Sequence, residues 1–197
     1  MAAFARNLLK PETPGGIVPA YPRLARAAVT RALAGELAPD PEGIDPDPAL
    51  WRPRRACFVS LKNPSLRGCI GTIHPTRKDL GQEIIANALA AATRDPRFPP
   101  LGPTELAGVL FSVDVLSEPE PVSDWSELDP TRWGVIVSQD GRRGLLLPDL
   151  PGVDSAAQQV AIAAQKAGIL DLNNLALQRF SVDRHPEAEP PAPEDRS

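Results

Sequence analysis

The chain has 197 residues, 42% hydrophobic and 23% charged, with a formal net charge of −4, enough for one substantial core and short for two. No apolar run approaches the ~20 residues of a membrane-spanning helix, and Met1–Lys10 lacks the unbroken apolar stretch of a signal peptide, so the expectation is a cytoplasmic protein with no membrane association. Its two cysteines, Cys57 and Cys69, should then stay reduced, and with His74 and His185 they show no paired ligand spacing, so neither a structural metal site nor a cofactor is implied.

Residues 1–20 read as an N-terminal extension. A first helix is expected from about Tyr21 to Leu37, with Pro22 at a first helical position and Leu24, Ala28, Val29, Ala32 and Leu33 forming an apolar stripe. The acidic, proline-rich segment 38–50 reads as a loop. Cys57–Leu61 has the β-branched and aromatic content of a strand, and Lys62-Asn63-Pro64-Ser65 is turn chemistry. Leu66–Ile73 returns as the second strand of a hairpin. Thr76, followed by Asp79, gives a capping signal for a helix from Leu80 to near Thr93. Pro96 disfavours helix at Asp95, and residues 108–116 alternate as a strand, with Val109, Phe111, Val113 and Val115 on one side.

Residues 117–133 read as a long connection. Gly134–Ser138 and Gly144–Leu147 flank a hairpin loop over residues 139–143 that holds an Asp-Gly step. Asp154 caps a last helix over 155–167, which stops at Gly168. Leu177–Val182 is a final strand, and 183–197 reads as an acidic, proline-rich, disordered tail. Two hairpins with interspersed helices predict an α+β domain over 21–182, with a largely antiparallel sheet and flanking helices.

The net charge hides an asymmetry. Residues 36–50 carry five acids and no base, and removing them together with the acidic tail leaves the rest at +4. Residues 51–78 hold Arg52, Arg54, Arg55, Lys62, Arg67, Arg77 and Lys78 without one acid. Such a stretch is either a solvated face or a positive field for an anionic ligand. It is modest for a polyanion, which needs several phosphate contacts, and only nine aromatic residues exist for base stacking. Strong binding to bulk RNA or DNA is therefore not expected.

Leu66-Arg67-Gly68-Cys69-Ile70-Gly71 is the least ordinary stretch. Glycine inside a strand marks a bulge or the close approach of a backbone or ligand. Strict alternation puts Arg67 and Cys69 on one face, where a guanidinium would favour the nucleophilic thiolate; the plain alternative is a packed cysteine, which suits Cys57 better. His74 reads as a solvent-exposed loop residue unless its side chain turns back to Cys69. Asp95 and Arg97 either pair locally at a helix end, or Asp95 orients Arg67 and leaves Arg97 for an anion. Lys166 suits the dipole of the last helix.

These residues carry a resemblance. Leu66–Gly71, the alanine-rich helix through Ala88–Ala92, Asp95-Pro96-Arg97-Phe98, Arg143–Pro148 and Lys166-Ala167-Gly168 resemble, in order and spacing, the AMMECR-one domain family. Its prokaryotic branch is known as AmmeMemoRadiSam system protein A. The likeness spans about Pro22 to Val182. It departs at residues 151–155, where many members are aromatic-rich. It implies a smaller accessory subdomain, a cleft near the Arg-Gly-Cys segment, and partnership with Memo-like and radical-SAM proteins.

Two functions follow from the resemblance and the residues together. One is a binding or accessory domain for a small anionic or nucleotide-like substrate, held by Arg67, Gly68, Gly71, Asp95 and Arg97. The other is an enzyme subunit in which Cys69 is the catalytic thiol in nucleotide, RNA-base or metabolite modification.

Overall fold

A helix ends where its carbonyls find other partners, and Gly35 decides this for the first one. The structure, a computed structural model, describes residues 19–187. Helix α1 (Ala20–Leu33) buries Leu24, Ala25, Ala28 and Val29. Gly35 then takes the left-handed conformation (φ 73°), and the amides of Gly35 and Glu36 bond back to Ala32 and Arg31. This closes the helix in a Schellman motif short of Leu37, which is exposed. The expected loop over 38–50 contains two four-residue helices, α2 (Pro41–Ile44) and α3 (Pro48–Trp51). Each begins with an Asp-Pro step in which Asp40 or Asp47 accepts from an amide and proline fills the first helical position.

Strands β1 (Cys57–Asn63) and β2 (Ser65–Gly71) form the expected hairpin. Helix α4 (Leu80–Thr93) follows, capped by Asp79, whose side chain accepts from the Gln82 amide at 2.8 Å; Thr76 does not cap it. Strand β3 (Leu110–Leu116) pairs with β1. The chain then leaves this sheet. The expected connection 117–133 contains the short strand β4 (Glu120–Val122) and a 3-10 turn at Trp125–Glu127.

The second hairpin is β5 (Gly134–Gln139) and β6 (Arg142–Leu146). Its turn is tighter than expected, since Asp140 and Gly141 both have positive φ and suffice to reverse the chain. Helix α5 (Ala156–Lys166) is capped by Ser155, not Asp154. Strand β7 (Ala176–Phe180) completes a second antiparallel sheet, β4-β7-β5-β6, and β8 (Val182–Pro186) returns to complete the first, β2-β1-β3-β8.

The fold is thus α+β with two antiparallel sheets. One core lies between the first sheet and helices α1 and α4, and a second lies between the other sheet and α5. A third joins the sheets, where Phe58, Ile73 and Leu116 meet Ile136, Leu145 and Phe180. The expected tail from Asp183 needs correction. Arg184 pairs with Asp114 at 3.1 Å, and buried Glu187 accepts from Arg26 Nε at 2.7 Å and the Phe111 amide at 2.9 Å. These contacts order the chain through Glu187. Residues 1–18 and 188–197, including most of the expected extension and tail, lie outside the described residues. Among the described residues, no helix is long and apolar enough to cross a membrane.

Candidate functional site

One line along α4 organises the Arg-Gly-Cys strand. Glu83, Asn87 and Ala91 follow one another at four-residue spacing on the face turned to β1 and β2. Glu83, fully buried, accepts from Thr72 Oγ1 (2.7 Å), the amides of Thr76 (2.8 Å) and Arg77 (2.7 Å), and Thr76 Oγ1 (3.0 Å). It therefore fixes the loop that follows β2. Asn87 Nδ2 donates to the Cys57 carbonyl at 3.0 Å. At Ala91 the helix comes so close that a Cβ on Gly68 would overlap the Ala91 carbonyl oxygen. A Cβ on Gly71 would strike the Phe58 ring and the Cys57 carbonyl. The close approach permitted by both glycines, expected as ligand contacts, is that of the protein's own helix and strand.

Cys69 lies on the outer edge of the first sheet, because β2 is an edge strand. Its main-chain groups would be unpaired there, and Asp95 and Arg97 pair them. Asp95 Oδ2 accepts from the Cys69 amide at 2.8 Å, and an Arg97 terminal nitrogen donates to the Cys69 carbonyl at 3.2 Å. Arg97 also grips Asp95 with two bonds, of 2.9 and 2.7 Å. Two side chains thus imitate a neighbouring strand. The structure brings Asp95, Arg97 and Cys69 together and realises the local Asp95–Arg97 pairing.

Arg67 is held differently from the functional expectation. The β1–β2 register shifts between Leu61 and Lys62, leaving Arg67 as the extra residue of a bulge. Its guanidinium binds Glu105 at 2.9 and 3.1 Å, not Asp95. Arg67 and Arg97 both stand over the Phe98 ring, 5.9 and 5.4 Å from its centroid. Each arginine therefore already has a carboxylate partner. Among the described residues, cavities of about 250 to 780 Å3 are lined by residues other than Arg67–Gly71.

The Arg97 hydrogen bonds, joined by the backbone bonds from Cys69 and Arg97, hold the buried Asp95 carboxyl far below the usual aspartate range. A folded-state pKa below the unfolded one contributes stability above the unfolded value and loses it as pH falls toward the folded value. Asp95→Asn should therefore cost about 2 kcal/mol near neutral pH. The gap from the wild type should narrow below about pH 4, where the unfolded aspartate protonates. Urea unfolding of both proteins across that range measures it; a gap independent of pH would remove the charge from this account.

The Cys69 side chain is partly buried on the sheet face away from the helices. Ser60 stands opposite it on β1 and donates to its Sγ at 3.3 Å. Because the Cys69 main chain bonds outward, the pair is a non-hydrogen-bonded one, in which side chains come closest. Ser112 continues the row on β3. The next row holds Phe58 and Asp114; burial raises the Asp114 carboxyl, opposed by Arg184. Cys57 is fully buried under the helices, and burial pushes its thiol up to about 12. His74 is exposed, and its Nε2 meets an Arg143 guanidinium nitrogen at 2.8 Å. Lys166 donates to the Leu145 carbonyl at 3.1 Å, fastening α5 to β6.

Glu83, Glu105, Ser60 and Arg184 escaped the sequence reading. Ser60 faces Cys69 only because of the bulge at Arg67, since the expected turn over residues 62–65 would have set it opposite Arg67. The two glutamates carry no local signal. Among the described residues, no group of three or more His, Cys, Asp or Glu is placed to hold a metal ion.

Comparison with known proteins extends the resemblance. A family model described as AMMECR1 matches residues 22–185. A protein of Thermotoga maritima is 51% identical over 149 residues, which cover 72% of this chain and 86% of that protein. A longer protein of Clostridium acetobutylicum is 43% identical over 171 residues, 85% of this chain and 36% of its own length. The crystal structure of an uncharacterised protein from Pyrococcus horikoshii superposes with a TM-score of 0.74 at 30% identity, covering 83% of this chain and 88% of that one. The match takes in both sheets, the clamped Cys69 strand and the Asp95–Phe98 segment: the chain belongs to the AMMECR1 family.

Proposed function

We propose that the protein is a cytoplasmic binding or accessory domain, presenting a small anionic or nucleotide-like substrate to Memo-like and radical-SAM partners. The observation that carries this reading is the setting of Cys69. Its main chain is clamped on both sides by Asp95 and Arg97, while its thiol takes a hydrogen bond from Ser60, a hydroxyl and not a base. A cysteine nucleophile activated by a general base needs that base within hydrogen-bond reach, and His74 is turned to Arg143. A rigid polar row of Cys69, Ser60 and Ser112 suits recognition better than covalent attack. Family membership supports the choice of partners, and the longer Clostridium relative shows a matching region in a larger chain.

A second reading is favoured by one observation: the thiol is partly accessible beside the Arg97 guanidinium. In that reading Cys69 is the reactive thiol of an enzyme subunit.

Ligand-protection labelling separates these readings from a purely structural cysteine. Native protein treated with iodoacetamide should be modified at Cys69 and not at buried Cys57. A panel of small phosphates, nucleotides and carboxylates should contain a ligand that raises Tm and slows labelling of Cys69. Binding that survives Cys69→Ala supports the accessory reading, whereas turnover with partners that is lost in Cys69→Ala establishes the enzyme. A panel that neither shifts Tm nor protects Cys69 would sink both.

A further inference from the structure

The arginines expected to hold an anion are neutralised, and others are not. Arg67 has Glu105 and Arg97 has Asp95. At the end of the first sheet, where the second packs against it, the arginines bind neutral groups instead. Arg54 donates to the carbonyls of Arg77 and Pro75, both at 3.3 Å. Arg143, from β6, donates to Ser138 Oγ at 3.2 Å and meets His74 Nε2 at 2.8 Å. Carbonyl and hydroxyl partners orient a guanidinium and leave its charge intact.

Arg54, Arg55 and His74 line a groove of about 300 Å3, and Arg143, from the neighbouring cavity, contacts His74 from outside it. Ile73 and Leu116 form an apolar wall, and Glu118 is the one carboxylate in the lining. We propose that this groove between the sheets binds a small phosphomonoester, with the phosphate among Arg54, Arg143 and His74 and the organic part against Ile73 and Leu116. The proposal rests on the anion-binding reading above for its class of ligand, and moves the anion away from the β2 edge.

Three observations carry it. A guanidinium from β6 meets an imidazole from the loop after β2 with no acid between them, so the Arg143 charge is left for an anion to pair with. A guanidinium is a donor only, so His74 Nε2 accepts, and the other ring nitrogen carries hydrogen and can donate. Donors from three side chains suit the three terminal oxygens of a phosphate better than the two of a carboxylate. Finally, the groove is preformed: Arg54 is tied to the 75–77 loop, which buried Glu83 pins through Thr76 and Arg77. A volume near 300 Å3 with mixed apolar and polar walls is that of a small-molecule site.

Calorimetry and amide chemical shifts with inorganic phosphate, phenyl phosphate and phenol test it. Phenyl phosphate should bind more tightly than inorganic phosphate, phenol should not bind measurably, and shifts should concentrate at 73–75, 117–118 and 143. Arg143→Ala and His74→Ala, both at exposed positions, should keep the wild-type Tm and weaken phenyl phosphate about tenfold or more. Arg97→Gln should leave that binding unchanged. Loss of binding in Arg97→Gln with retention in Arg143→Ala would overturn the groove and keep the anion-binding reading at β2. Silence toward both phosphates would also overturn the groove, and the broader reading would fall only if the wider panel were silent too.

Discussion

Glu83→Ala should cost about 3–5 kcal/mol, a large share of the stability of an ordinary domain. The carboxylate is fully buried and is the common acceptor for Thr72, Thr76 and Arg77. Truncation leaves two main-chain amides and two hydroxyls facing an apolar void, and each unsatisfied group costs about 1–3 kcal/mol before relaxation. Glu83→Gln keeps the shape but turns an amide nitrogen toward donors, so about 2 kcal/mol is expected. Urea unfolding gives both values, and amide exchange should accelerate across 72–77 in each variant before the rest of the fold opens. An alanine variant within about 1 kcal/mol of the wild type would show that water replaces the carboxylate and that the loop does not depend on it.

The parts of the fold legible in the sequence are those made by local chemistry. The β1–β2 and β5–β6 hairpins announce themselves through turn residues, and α4 through apolar spacing that survives a buried Glu83 and Asn87. What stayed hidden depends on distant partners. Strand β8 reads Val-Asp-Arg-His-Pro, the composition of a tail, and it is a strand because Arg184 meets Asp114, 70 residues earlier. Glu187 is anchored by Arg26 across 161 residues, a contact with no local trace. Strand β4 is three residues at a sheet edge, below what periodicity can register.

The candidate site divides in the same way. Two unusual segments, Arg67–Gly71 and Asp95–Phe98, suggested a shared purpose, and they do meet at Cys69. Their pairing differs from the functional expectation because alternation assumes a regular strand. The bulge at Arg67 breaks that regularity and delivers the side chain to Glu105. Charge composition pointed at the 51–78 stretch as a whole. Only the fold separates its arginines into neutralised ones, such as Arg67, and those bound to neutral groups, such as Arg54.

Gly68→Ala should be among the most damaging single-methyl changes in the chain. The backbone at Gly68 is not in the left-handed region, so strain is not the reason. The reason is space: the added Cβ would overlap the Ala91 carbonyl, a main-chain atom in the last turn of α4 that has no rotamer to escape into. Relief requires the helix to lift from the sheet, which loosens the Asn87 bond to Cys57 and the Glu83 anchorage together. Overpacking costs about 1–3 kcal/mol where side chains yield, and here about 3 kcal/mol or more is expected. Gly71→Ala should cost less, because much of its clash is with the Phe58 ring, which can turn. Adding Ala91→Gly to Gly68→Ala should restore nothing, since the struck atom remains in glycine. Denaturation midpoints of the two single variants and the double variant decide the matter. A Gly68→Ala protein with wild-type stability that had lost anion binding would return this glycine to the role of a ligand contact and end the packing explanation for it.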